Sequence, residues 1–230
     1  GDHRDLHSFP PRRSSDLKKL EAEAAKWRER GASITALTYD QCQESSTQRL
    51  LDEVVARAGT VDVLVNNAVE RPMKDWSSPA ADFARSMEVN ATGLFLIMRC
   101  FGEAMATRGR GSIVNIGSTM GLVGPDFTLY EGLSWGTPPD YFFHKAGMIQ
   151  LARYAAAKLG PRGVRVNCIS PGGFFNDQDA VFLDRYNART FLGRMASRTD
   201  LMGTVVFLAS EASAYMTGAN LVLDGGYTAK

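Results

Sequence analysis

The chain has 230 residues, 44% of them apolar and 22% charged, with a formal net charge of +1. That length supports one domain with a substantial core. The near-neutral balance makes no electrostatic case for a nucleic-acid or anionic-membrane partner. Cys42, Cys100 and Cys168 are widely spaced and form neither a CxxC pair nor a metal-ligand cluster. No metal is expected, and reduced thiols point to the cytoplasm. The apolar run LFLIM at 94–98 is far too short to span a bilayer.

From Leu17 onward helical and strand patterns alternate. Residues 17–30 carry apolar side chains at helical spacing and end at Gly31, and 46–59 begins with Ser46 as a plausible N-cap and ends at Gly59. Between them, 33–39 (SITALTY) reads as a strand ending at Asp40. VDVLV at 61–65 is a short apolar run of the kind covered on both faces. A long helix is predicted over 78–107, a buried strand over 111–117, a helix over 139–160 and a third buried strand over 164–170. A loop region follows, then a helix over 198–213 and a last strand and turn over 219–226. This alternation indicates βαβ units and a doubly wound parallel sheet, an α/β fold. Ligands of such sheets sit outside the carboxyl ends of the strands. Asp40, the pair Asn66 and Asn67, Ser118, and the pair Pro171 and Gly172 each follow a predicted strand, so four strand ends point to one crevice.

Tyr141 and Lys145 form YxxxK within the helix 139–160. At i,i+4 they share a face. An ammonium beside a phenol stabilises the phenolate, which makes Tyr141 a usable general acid–base near neutral pH. His144, between them in sequence, is expected to face elsewhere.

VDVLVNNA (61–68), MEVNATGLF (87–95), GSIVNIGS (111–118), YFFHK (141–145), VRVNCISPG (164–172) and TGANLVLDGG (217–226) occur in this order. Together they resemble the short-chain dehydrogenase/reductase family over Leu17 to about Tyr227. The resemblance implies a Rossmann-like sheet binding NAD or NADP, the choice between them being unreadable, and an oxidoreductase interconverting a secondary alcohol and a ketone. By the same resemblance Tyr141 exchanges the substrate proton and Lys145 lowers its pKa while meeting the nicotinamide ribose. Ser118 holds the substrate oxygen and Asn90 organises a water in the proton relay. Asn66 and Ala68 lie along the cofactor, Asp40 meets the adenine, and Pro171, Gly172 and Phe174 border the nicotinamide. The family also implies a homotetramer.

The chain departs from the family pattern in three places. Val69 stands where the family has the Gly of NNAG, which would cost stability if that backbone needs positive φ. The interval from Ser118 to Tyr141 holds an insertion over 129–140. Its Tyr130, Glu131 and Trp135 are expected to rim a substrate pocket suited to a sugar-like alcohol. Finally, the family's opening strand, glycine-rich phosphate-binding turn and helix have no counterpart before Leu17. Residues 5–17, DLHSFPPRRSSDL, match the conceptual translation of a common sequencing adapter at every position but Pro11. Residues 1–16 are therefore expected to be non-native or disordered, and 17–230 to be one N-terminally truncated Rossmann-like domain. Loss of the phosphate loop leaves a second reading open, a non-catalytic binding or oligomer subunit.

Overall fold

The computed structural model describes residues 14–230. The expectation for residues 1–16 lies outside the described residues, except that α1 (Ser14–Glu29) begins within that stretch. The chain continues through α2 (Glu44–Ala58), β1 (Val63–Asn66), α3 (Ala80–Met87), α4 (Gly93–Thr107), β2 (Gly111–Ile116), α5 (Pro139–Leu159) and β3 (Val164–Pro171). It ends in α6 (Ala180–Arg189), α7 (Met202–Ala209) and β4 (Asn220–Leu223).

The four strands form one parallel sheet in the order β1-β2-β3-β4. Side chains alternate across its plane. Ile113, Val164, Val166 and Cys168 face one way, into a core with Leu94 and Met98 of α4 and Met148 and Ala152 of α5. Val114, Ile116 and Ile169 face the other way, onto Leu208 of α7. Helices therefore cover both faces, as the apolar strand runs require. β2 and β3 are almost wholly buried, whereas Val63 and Val65 of β1 are 37% and 43% exposed.

The run 33–39 is not a paired strand. In the doubly wound order 3-2-1-4-5-6 the third strand bonds only to the second. Among the described residues no strand lies beside 33–39 to pair with it. The run keeps its strand-like composition and lacks a ladder to join.

Four helix expectations also change. The predicted helix 78–107 is interrupted by one π-helical turn at Glu88–Thr92, where the side chain of Asn90 is drawn out of the helix (see below). Helix 198–213 shrinks to α7 because Asp200 ties its start into a turn, accepting from the backbone N–H of Ser197 at 2.6 Å while pairing with Arg194. The region expected as loop contains α6, capped by Asp179, whose carboxylate accepts from the N–H of Val181 at 2.8 Å. Ser46 is not an N-cap, since α2 starts at Glu44 and the Ser46 hydroxyl accepts from the N–H of Asp40 at 2.8 Å. Gly31 and Gly59 are helix stops at φ of 86° and 75°. Val69 carries no left-handed strain: the one described non-glycine residue at positive φ is Asp177.

Candidate active site

The ends of β1 and β2 and the N-terminal half of α5 meet at one crevice. After β2, Ser118 leaves the sheet in an extended conformation and caps a short 3-10 turn, its hydroxyl accepting from the N–H of Met120 at 3.2 Å. That turn packs tightly on α5. A Cβ on Gly121 would lie 2.7 Å from the carbonyl carbon and oxygen of Lys145, closer than real Cβ contacts approach. Glycine at 121 is thus what lets the Ser118 turn and the Lys145 backbone meet.

Lys145 is buried and donates to the carbonyl of Ile116, the last residue of β2, at 2.6 Å. Its ammonium lies 5.6 Å from the Tyr141 ring centroid. Burial pushes the Lys145 pKa down, against the pull of the Tyr141 oxygen. Burial pushes the Tyr141 phenol up, but Lys145, Arg71 and hydrogen bonding from Ser118 and Arg71 outweigh it, and its pKa lies below the usual phenol value. The i,i+4 argument from sequence is thereby realised as a cation, a phenol and a hydroxyl at one strand end.

Asn90 lies in the π turn, and its side chain clamps another segment. Its Oδ1 accepts from the N–H of Glu70 at 2.9 Å, and its Nδ2 donates to the carbonyl of Glu70 at 2.7 Å and to the Ser86 hydroxyl at 3.0 Å. The amide is therefore occupied by the backbone that follows the Asn66–Ala68 stretch. Asn66 donates from Nδ2 to Asn115 Oδ1 at 2.8 Å, a cross-strand pair at matched register.

A cavity of about 230 Å³ is lined by Asn66, Asn67, Ala68, Asn90, His144 and Lys145, with Leu94, Ile97 and Met148 as its apolar wall. His144 thus faces the crevice, contrary to expectation, and packs edge-on against Tyr141 at 5.2 Å between centroids. Burial, reinforced by Lys145 and Arg71, lowers its pKa to about 3. Neither ring nitrogen has a hydrogen-bond partner. The reason for the misreading is geometric: positions 144 and 145 are about 100° apart on a helix, close enough for both to border one hollow.

The remaining expected residues divide. Asp40 does not line this cavity; its neighbours Tyr39 and Gln41 do, while its own carboxylate accepts from the N–H of Cys42 at 2.9 Å and from Gln43 Nε2 at 3.0 Å. Gly172 faces a second hollow of about 110 Å³ shared with Tyr186, Arg194 and Asp224. Pro171 ends β3, and the carbonyl of Phe174 accepts from Gln178 at 2.7 Å. In the insertion, Tyr130 and Trp135 pack on Phe182 of α6 at 5.5 and 4.8 Å, and the carbonyl of Glu131 accepts from Arg185 at 2.7 Å. The insertion is therefore fastened to α6, the helix that sequence reading missed. Asp179 as a cap and Phe182 with Tyr186 at i,i+4 were its available signals. Arg71 was missed as well. Its guanidinium lies over the Tyr141 ring, 4.1 Å from the centroid.

These residues suit part of a nicotinamide dinucleotide. The unpartnered ring nitrogens of His144, with Lys145 and the strand-end asparagines, offer the kind of donors and acceptors a ribose takes up. The pyrophosphate needs a glycine-rich turn opening a helix, and among the described residues none opens on this crevice. When bound, that cofactor supplies the hydride acceptor or donor.

Comparison with known proteins gives the same assignment. A family model described as enoyl-(acyl carrier protein) reductase matches residues 13–228. The chain is 32% identical over 204 residues to an L-rhamnose 1-dehydrogenase (NAD(P)(+)) of Azotobacter vinelandii, covering 85% of this chain and 76% of that one. It is 32% identical over 209 residues to a galactitol 2-dehydrogenase (L-tagatose-forming) of Cereibacter sphaeroides, covering 87% and 78%. A crystal structure of a gluconate 5-dehydrogenase from Burkholderia cenocepacia in complex with NADP and tartrate superposes with a TM-score of 0.80 at 29% identity, over 93% of this chain and 82% of that one. With the strand-end crevice and its tyrosine–lysine pair, these likenesses place the chain in the short-chain dehydrogenase/reductase family, NAD(P)-dependent oxidoreductases on a Rossmann-like sheet.

Proposed function

We propose that this chain interconverts a secondary alcohol and a ketone on a small, polyol- or sugar-like substrate. The arrangement of Ser118, Tyr141 and Lys145 at the end of β2 is the observation that carries this reading. In the oxidative direction the ionised Tyr141 oxygen takes the hydroxyl proton while the carbinol carbon gives up its hydride. In the reductive direction the Tyr141 phenol returns that proton to the carbonyl oxygen. Ser118 donates to the same oxygen and fixes it beside the phenol. Lys145 holds the phenolate charge, and its bond to Ile116 keeps the ammonium in place. Asn90 acts here by clamping the backbone of Glu70, next to Arg71. Names of relatives such as L-rhamnose 1-dehydrogenase and galactitol 2-dehydrogenase support hydroxylated substrates.

The chain works as a homotetramer in the cytoplasm. The exposed Phe95 of α4 and Phe143 and Tyr154 of α5 support a partner surface. Free cysteines, and the lack of any described helix long and apolar enough to cross a membrane, accord with that location. The test is a panel of polyols, aldoses and secondary alcohols followed by nicotinamide absorbance, with Tyr141→Phe as control. Turnover that survives Tyr141→Phe unchanged would overturn the assignment. Light scattering reads the assembly state.

A further inference from the structure

Arg71 stands out as a cation without a carboxylate. Its guanidinium stacks on the Tyr141 ring at 4.1 Å, and its Nε is buried with no hydrogen-bond partner. Among the described residues no aspartate or glutamate forms an ion pair with it, although three stand close in sequence to the elements around it. Glu70, its neighbour, is turned onto Arg85 in a two-point pair at 3.1 and 3.0 Å. Asp126, ahead of the insertion, pairs with Arg189. Asp140, beside Tyr141, is buried with neither oxygen hydrogen-bonded and makes no ion pair. The charge of Arg71 is felt by Tyr141 and also by Tyr130 of the insertion. Arg71 therefore sits between the acid–base group and the loop that rims the substrate side.

Its position is built in. Pro72 restricts Arg71 to extended backbone, and both backbone polar groups of Glu70 are clamped by Asn90. A buried guanidinium N–H left without an acceptor costs free energy, and the planar fork of an arginine matches a carboxylate at two points. Two cations, Arg71 and Lys145, flank one phenol here. Even with the phenol ionised, one positive charge is left over.

We infer that Arg71 is a specificity-determining residue that binds a carboxylate on the substrate, so that among polyol- and sugar-like substrates those carrying a carboxylate, hydroxy acids and their keto acids, are preferred. The carboxylate meets the in-plane N–H edge of the guanidinium while the hydroxyl a few bonds away reaches Tyr141 and Ser118. This rests on the oxidoreductase reading for its chemistry, but not for its binding.

The test uses the full chain, its Arg71→Leu and Arg71→Lys variants, and matched probes: 2-, 3- and 4-hydroxypentanoate, each with its neutral amide. Binding is read by calorimetry without cofactor, and turnover is read separately with NAD and NADP. At least one acid should bind ten- to a hundredfold more tightly than its amide, the range of a charge-assisted pair. Arg71→Leu should erase that ratio while leaving amide binding within about twofold, and Arg71→Lys should restore part of it. Comparing acid with amide in one variant separates lost recognition from a misfolded protein, and a melting curve checks the fold directly. Equal binding of acid and amide to the unaltered chain, binding of neither, or an equal loss of both in Arg71→Leu would overturn the inference. Inorganic pyrophosphate forms a further arm. If it binds in an Arg71-dependent way and the hydroxy acids do not, the guanidinium serves cofactor phosphates and the inference falls. Arg71-dependent acid binding without turnover of any probe by either dinucleotide would uphold the carboxylate seat and overturn the oxidoreductase reading instead.

Discussion

β3 and the run 33–39 have similar composition and opposite fates. VRVNCISP at 164–171 has a ladder on either side, and most of its residues are inaccessible to solvent. SITALTY at 33–39 has a β-rich sequence and no ladder, and Ile34 is 41% exposed. A strand's sequence expresses a fit to a half-made surface; the surface itself comes from its neighbours. The chemistry follows the same division. Ser118, Tyr141 and Lys145 hang from the doubly covered centre, where packing over-determines them. The glycine-rich turn opening a helix that a pyrophosphate needs has no counterpart at this crevice among the described residues.

The contrast breaks first at its catalytic side. Tyr141→Phe should lower turnover by about 10²–10⁴-fold, the usual worth of a positioned acid–base group, while cofactor affinity measured by calorimetry stays within a few-fold. The cofactor side sharpens it next. The 230-residue chain should bind NAD and NADP at least about a hundredfold more weakly than a version with a strand, glycine-rich turn, helix and strand placed before Leu17, since two or more charge-assisted hydrogen bonds to phosphate are at stake. Equal dissociation constants for the two would show that another feature receives the phosphates.

The remaining effects are smaller and read stability. Val166→Ala in the centre should cost about 2–3 kcal/mol in denaturant unfolding, and Val65→Ala on the open edge under about 0.5 kcal/mol. Similar costs would mean the edge is covered in solution. Gly121→Ala should cost about 1–3 kcal/mol by overpacking, with a disproportionate loss of activity because the displaced backbone is that of Lys145. The pH dependence is the subtlest. Folding lowers the His144 pKa from 6.5 to about 3, so between those values the unfolded chain holds the extra proton. Stability should then decline as pH falls below about 6.5, by up to about 1.4 kcal/mol per pH unit. His144→Gln should flatten that slope.

Much of this was legible beforehand. Alternating helical and apolar strand runs gave the sheet, and i,i+4 spacing placed Tyr141 with Lys145. What escaped was non-local. The pairing of 33–39 depends on strands elsewhere, the break at Asn90 depends on a backbone 20 residues away, and the fastening of the insertion depends on Phe182 and Arg185 of a helix hidden in a presumed loop. His144 was missed because a helical wheel assigns directions and does not show how wide the facing hollow is. Arg71 carried no motif at all; only the ring beneath it marks it.

The Asn90 clamp has a thermodynamic corollary. A loop that meets its ligand while still mobile must surrender about 1–2 kcal/mol of backbone entropy per residue at that moment. Here Glu70 is already held by two hydrogen bonds and Arg71 by the proline that follows it. Their freedom is lost when the chain folds. An incoming anion would then meet a guanidinium whose mounting is already ordered, and selectivity would reflect the contact itself, undiminished by the ordering of its mount.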